Sequence, residues 1–129
     1  ETHRGHNLGI IITSGGAEPN TGTPGAIGGF TEERVLRAPG DGKFLSIRNI
    51  GDCVNENEIL GSVAGLEVRA HIAGVLRGLI RPNSQVTQGL KIGDIDPRGE
   101  VSYCFTISDK ARAISGSVLE AILRSYNCA

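Results

Sequence analysis

The sequence predicts a mainly β fold, in which two pseudo-twofold repeats pack as a flattened barrel or sandwich. An N-terminal strand and a glycine-rich loop precede them, and a helix follows. Three observations predict this. A weak repeat at an offset of 32 residues runs without a gap from about Leu36 to Ile95, and a unit of that length buries its apolar face only by packing on a copy of itself. Nineteen glycines against three Phe and two Tyr imply many tight turns around a core of Ile, Leu and Val. Within each copy the apolar segments are broken at Asn49–Asp52 and Pro82–Ser84, the pattern of strands joined by turns.

Taken in chain order, Leu8–Thr13 contains the β-branched run Ile10, Ile11 and Ile12 and predicts a buried strand. Ser14–Phe30 is rich in glycine and holds Pro19 and Pro24, which excludes a regular element and predicts an ordered loop. The two copies then span about residues 36–63 and 68–95. Identities fall at Arg37/Arg69, Ala38/Ala70, Gly42/Gly74, Val54/Val86 and Gly61/Gly93. Apolar matches fall at Phe44/Leu76, Ile47/Leu79, Leu60/Ile92 and Val63/Ile95. Asn57 aligns with Gly89, the two residue types that most readily take a positive φ in a tight turn. Val101–Ile107 alternates as a strand. Ser108 or Asp109 then caps a helix running through Arg124, with Ala111, Ile114, Val118 and Ile122 as an apolar stripe that Leu119 and Ala121 widen.

At 129 residues, 39% hydrophobic and 21% charged, the chain reads as one globular domain, residues 1–129. Thirteen basic and fourteen acidic residues leave a net charge of -1, so neither nucleic acid nor an anionic membrane is an expected partner. The longest apolar stretch, Ile10–Ile12, is far short of the roughly 20 residues that cross a bilayer. Glu1–Gly16 lacks the basic start and apolar run of a secretory leader. Cys53, Cys104 and Cys128 are odd in number and far apart, which predicts reduced thiols and a cytoplasmic location. The opening on Glu1 and the absence of methionine predict a piece of a larger chain.

The stretch from Ala38 to Asp96 resembles the biotinyl/lipoyl-like barrel-sandwich hybrid family, in which two quasi-equivalent halves meet at a hairpin. Carrier members present a modified lysine there. The corresponding tip here is Ala64-Gly65-Leu66-Glu67, and the lysines are Lys43, Lys91 and Lys110. No covalent carrier lysine, and so no biotin or lipoate, is expected.

A second resemblance spans nearly the whole chain. It rests on Glu1-Thr2-His3-Arg4-Gly5-His6-Asn7-Leu8-Gly9, Pro19-Asn20-Thr21-Gly22-Thr23-Pro24-Gly25, Ile27-Gly28-Gly29 and Glu33-Arg34-Val35-Leu36-Arg37-Ala38-Pro39. It rests also on Lys91-Ile92-Gly93-Asp94-Ile95-Asp96-Pro97-Arg98 and Ile107-Ser108-Asp109-Lys110-Ala111. In these the chain resembles the C-terminal half of an accessory family associated with selenium-dependent molybdenum hydroxylases. The resemblance implies an upstream dinucleotide-fold half, absent here, and a maturation role toward a molybdenum hydroxylase. It implies no cofactor for this domain alone, with molybdenum- or selenium-containing species belonging to the parent protein. The expected activity is non-enzymatic docking or scaffolding; the alternative is a domain that handles a cofactor or oxyanion directly. Homo-oligomerisation through apolar surface is a further expectation.

Several residues are candidates for ligand binding. His3, Arg4 and His6 group two imidazoles with a guanidinium, suited to a metal or to an oxyanion such as molybdate or selenophosphate, or else form a solvated segment. No spacing of a structural zinc site occurs, and no metal is expected. Asn20, Thr21, Gly22, Gly25, Gly28 and Gly29 form a loop whose backbone N–H groups suit an anion, although no nucleotide-loop motif is present. Asp96 and Arg98, with Asp94, suit acid–base work or a cation site, or else a turn closed by a salt bridge. Asp109 fits a helix cap, Cys104 a buried strand thiol and His71 a strand position.

Overall fold

The computed structural model describes residues 3–127; Glu1 and Thr2 of the opening motif, and Cys128, lie outside them. The fold is mainly β, with two antiparallel sheets and one C-terminal helix. Contacts divide the described residues into two compact units, one made of residues 3–25 and 106–127 and the other of residues 26–105.

Among the described residues the second unit holds all the strands. A 3₁₀ turn, Glu32–Arg34, leads into β1 (Val35–Arg37), β2 (Gly42–Ser46), β3 (Cys53–Val54), β4 (Ile59–Val63), β5 (Leu66–Arg69), β6 (Gly74–Leu79), β7 (Gln85–Val86) and β8 (Lys91–Asp96). They form two four-stranded sheets of order β1-β8-β6-β3 and β5-β4-β2-β7, every pair antiparallel, and close no barrel. Leu36, Ala38, Phe44, Val54, Leu60, Val63, Val68, Ala70, Leu76, Val86, Ile92 and Ile95 make one buried cluster. Alternation alone does not place them: Leu60 and Val63 on β4, and Ile92 and Ile95 on β8, lie three apart and are all buried, because the register shifts by one residue at Leu60 and at Ile92. Ile47 departs from the expected match with Leu79: just past the end of β2, it is 68% exposed, whereas Leu79 packs against the core.

The turns explain several sequence choices. β4 and β5 are joined by the two-residue turn Ala64-Gly65, both with positive φ (49° and 83°), the geometry that matches strand twist. Asn57 (φ 65°) and Gly89 (φ 80°) both occupy the left-handed region. At Gly61 a Cβ would overlap the Leu45 carbonyl oxygen, and at Gly93 it would lie 2.8 Å from Leu36 Cδ1 and 2.9 Å from the Gly78 oxygen. Both glycines mark close strand approach rather than turns.

After β8 the expected strand over Val101–Ile107 is a 3₁₀ turn, Val101–Cys104, followed by irregular chain. The Glu100 carboxylate accepts from the Ser102 amide (3.3 Å) and hydroxyl (2.8 Å), which fixes a turn start where alternation alone predicts extension. Cys104 is therefore half-buried on a turn, its thiol donating to the Leu76 carbonyl (3.9 Å). His71 lies in an exposed bend between β5 and β6, not in a strand.

In the first unit, the expected strand over Leu8–Thr13 is instead the end of a turn followed by irregular chain, with Leu8 N–H donating to Gly5 and Ile10 N–H to Asn7 (both 3.1 Å). Ile10 is 65% and Ile12 51% exposed. A strand needs a partner edge, and Gly9 (φ 84°) turns the chain onto the helix instead: a Cβ there would overlap Ser117 Oγ. Helix α1 (Asp109–Asn127) starts where Ser108, not Asp109, caps it: Ser108 Oγ accepts from the Ala111 amide (3.2 Å) and its carbonyl from Arg112 (2.9 Å). The helix buries no residue fully. Its least exposed face is Ala113, Ile114, Ser117 and Ala121, offset from the expected stripe, so Ala111, Val118 and Ile122 are exposed.

Candidate functional site

The sequence candidates separate between the two units. In the first, His3, Arg4 and His6 share the rim of a concavity of about 660 Å³. Turns at Gly5 and Gly9 fold residues 3–18 back over α1, and Ile10, Ile12, Ile114 and Val118 supply an apolar wall. Two of the rim side chains lie against carboxylates: His3 Nδ1 is 3.1 Å from Glu18, and the Arg4 guanidinium binds Asp109. The hydrogen bond from Arg4, helped by the Lys110 amide, holds the Asp109 carboxyl below the ordinary aspartate range. Asp109 thus anchors the opening motif to the first turn of α1, where the helix dipole also favours a carboxylate.

The glycine-rich loop does not offer a row of unused N–H groups. The Gly22 amide donates to Asn20 Oδ1 (3.0 Å) and the Thr23 amide to Thr21 Oγ1 (3.3 Å), so side chains two residues back already accept them. Gly25 is exposed. In the second unit Gly28 (φ 58°) and Gly29 (φ 86°) form a two-residue turn closed by reciprocal Ile27 and Phe30 hydrogen bonds of 2.9 and 3.1 Å. That turn requires left-handed backbone at both positions, which accounts for the pair. It also sets Gly28 against Pro97, between Asp96 and Arg98.

Asp96 and Arg98 belong to a charged cluster on β8 that the sequence revealed only in part. Asp94 and Asp96 lie two residues apart and so on one face of the strand. Asp96 is 1% exposed; it accepts from Arg98 Nε (2.9 Å), Nη2 (2.6 Å) and amide (3.1 Å), and from Arg77 Nη1 (3.1 Å). These donors, Arg98 first, overcome burial and lower its pKa to about 2. Asp94 accepts from the buried Arg34 (3.1 Å) and lies 3.5 Å from Lys91 Nζ. The Arg98 guanidinium stacks over Tyr103 at 4.7 Å. With its oxygens committed to arginines, Asp96 serves as an ion-pair anchor closing the Pro97 turn, not as a proton carrier. Arg34 and Arg77 reach β8 from a distant turn and the neighbouring strand. Arg77 is visible in the sequence only as a cation inside a strand, and Arg34, in the turn before β1, gives no local signal.

Among the described residues no group of three His, Cys, Asp or Glu side chains is placed to hold a metal ion, and no helix is long and apolar enough to cross a membrane.

No family model matches the chain. It is 49% identical over 123 residues to the uncharacterized protein YqeB of Escherichia coli (strain K12), a match covering 95% of this chain. The chain spans 23% of that protein's length. Among solved structures, an aspartoacylase family protein from Mesorhizobium loti aligns with 50% of this chain and 23% of its own, at 18% identity and a TM-score of 0.43. The product-bound ectoine utilization protein EutE (DoeB) from Ruegeria pomeroyi aligns with 50% of this chain and 22% of its own, at 22% identity and a TM-score of 0.45.

Proposed function

We propose that this chain is a non-enzymatic docking module of an accessory protein that matures a selenium-dependent molybdenum hydroxylase, and that its immediate partner is an upstream dinucleotide-fold half of the same polypeptide. The observation that carries the docking reading is α1. Nineteen residues long, it buries no side chain fully and leaves Leu119, Ile122 and Leu123 between 47% and 56% exposed. Apolar surface collected on one helix is the usual mark of an interaction face. The match of this chain to 23% of a longer relative supports a partner within the same polypeptide. The accessory role itself rests on the motif resemblance. The direct oxyanion-handling alternative draws less support, because His3, Arg4 and Arg98 are engaged by carboxylates and the loop amides of Gly22 and Thr23 by side chains.

The finer fold reading, a biotinyl/lipoyl-like barrel-sandwich hybrid of two repeats, belongs to the same proposal. Adding 32 to the bounds of β1, β2, β3 and β4 reaches β5, β6, β7 and β8 to within a residue. The same exchange turns the order β1-β8-β6-β3 into β5-β4-β2-β7. Hydrogen bonds follow it too: Arg37 donates to the Gly89 carbonyl (3.1 Å) and Arg69 to the Asn57 carbonyl (2.7 Å). Gly89 N–H donates to Ala38 (2.9 Å), and Asn57 N–H to Ala70 (2.8 Å).

The experiment is titration calorimetry of this chain against the upstream half of a full-length parent, expressed as a separate polypeptide. Saturable binding that Leu119→Asp with Leu123→Asp weakens at least tenfold is the expected result. Absence of binding, or binding indifferent to both substitutions, refutes the α1 docking face. Copurification of the hydroxylase with the full-length parent tests the accessory role separately.

A further inference from the structure

We infer that Cys53 and Cys104 form a reversible redox pair, in which hydrogen peroxide joins the two thiols and fastens the 3₁₀ turn Val101–Cys104 to the edge strand β3. Both are free thiols of the second unit, Cys53 exposed and Cys104 half-buried. The backbone brings them to one place on β6. Cys53 pairs with Val75, and the Cys104 thiol lies 3.9 Å from the carbonyl oxygen of Leu76, the next residue. That oxygen also accepts the Gly51 amide (2.9 Å), while the Leu76 amide donates to Asp52 (2.9 Å), so Gly51, at φ 99°, and Asp52 oppose Leu76 in a bulge just before β3. The two cysteines thus address β6 one residue apart, roughly 3.4 Å along the strand. A disulfide bridges Cα atoms up to about 7 Å apart.

They also share a side of the sheet. Val54 is buried in the core, so Cys53, its neighbour on the strand, faces the other way. Val75 is fully buried yet outside the core cluster that holds Leu76, which places it on that same outer side, where the 3₁₀ turn packs on β6. Val101 and Phe105 come within 3.8 and 3.3 Å of the position a Gly51 Cβ would occupy, so the turn reaches the β3 edge on either side of Cys104. The exposed Cys53 thiolate attacks one peroxide oxygen, breaking the O–O bond and leaving a sulfenic acid and one water. The Cys104 thiolate then displaces the sulfenic oxygen as a second water, so the two thiols give up two protons and two electrons and the peroxide takes up both. The new bond holds down the turn that carries Tyr103, whose ring lies 5.9 Å from Arg77 and 4.7 Å from Arg98, the two arginines bound to Asp96.

The test is treatment of the chain, and of its full-length parent, with hydrogen peroxide, followed by alkylation of the remaining thiols, tryptic digestion and peptide mass spectrometry. Trypsin places Cys53 in residues 49–69, Cys104 in residues 99–110 and Cys128 in residues 125–129, so every pairing gives a different mass. The expected product is the first two peptides linked within one molecule, and dithiothreitol should separate them. Cys104→Ser should stop the reaction at a sulfenic acid on Cys53 that dimedone traps, and Cys53→Ser should leave Cys104 reduced. Urea unfolding of the wild-type chain should shift to higher denaturant after oxidation and stay unshifted in either variant. No linked peptide, a link to Cys128, a link between molecules, or oxidised Cys53 with Cys104 still alkylated would each overturn the assignment. A linked product that unfolds at the same urea concentration as the reduced chain would overturn the fastening of the turn.

Discussion

Replacing Asp96 by Asn tests whether the β8 ion-pair cluster stabilises the second unit through charge. The carboxyl is 1% exposed and its pKa falls from 3.8 to about 2, with the Arg98 hydrogen bonds as the leading cause. A lowered folded-state pKa contributes stability that is present above the unfolded value and lost as pH falls through the folded one. At about 1.4 kcal/mol per pKa unit, the shift is worth about 2 kcal/mol at pH 7, roughly half of that at pH 3 and little at pH 2. Asn is nearly isosteric and still accepts a hydrogen bond, but it leaves Arg77 and Arg98 without a counter-charge, so the total loss at pH 7 should reach about 3 kcal/mol. Urea unfolding of both proteins at several pH values, followed by near-ultraviolet circular dichroism, measures it. The expected result is a stability gap that narrows from pH 4 to pH 2 as the wild-type carboxyl protonates. A gap of the same size at pH 7 and pH 2.5 would refute the reasoning, because a steric or packing loss does not titrate.

Three other outcomes follow from backbone geometry. Gly61→Ala and Gly93→Ala each push a methyl into a neighbouring strand and should cost about 1 to 3 kcal/mol in urea unfolding, whereas Gly29→Ala, with nothing within 4 Å of its Cβ, should cost only the strain of its φ of 86°. Asn57→Gly, at φ 65°, should be tolerated within about 0.5 kcal/mol, whereas Asn57→Ala should cost about 1 kcal/mol in the same assay. Ser108→Ala removes the acceptor for the Ala111 amide and should lower stability of the first unit by about 1 kcal/mol, visible as lower helicity at 222 nm.

Much of the β unit is legible in the sequence because its determinants are local. Short apolar segments bounded by Gly, Asn and Pro carry Phe44, Leu60, Leu76 and Ile92, and all four are buried. The left-handed backbone at Asn57 and Gly89 is equally readable, since few residue types accept it at little cost. The capping of α1 beside Asp109 is local too. Its buried face is not, because the stripe read from hydrophobicity alone passes through Val118 and Ile122, while the contact depends on the small residues Ala113, Ser117 and Ala121 that let Gly9 approach.

Long-range partners decide the rest. Ile10–Ile12 has the composition of a strand, but strand formation requires a neighbouring edge, and here Ile10 and Ile12 line a hollow instead. Asp96 beside Arg98 is visible in the sequence, yet its state depends equally on Arg77, which the β6 pairing brings to it. His3, Arg4 and His6 are plainly basic in the sequence, but half of the wall they share, Ile114 and Val118, comes from a helix more than a hundred residues away. The sequence by itself determines where this chain can turn and which side chains must leave water. Only the tertiary structure decides which charges meet and which apolar surfaces stay uncovered, because those energies depend on distances between residues that no local pattern encodes.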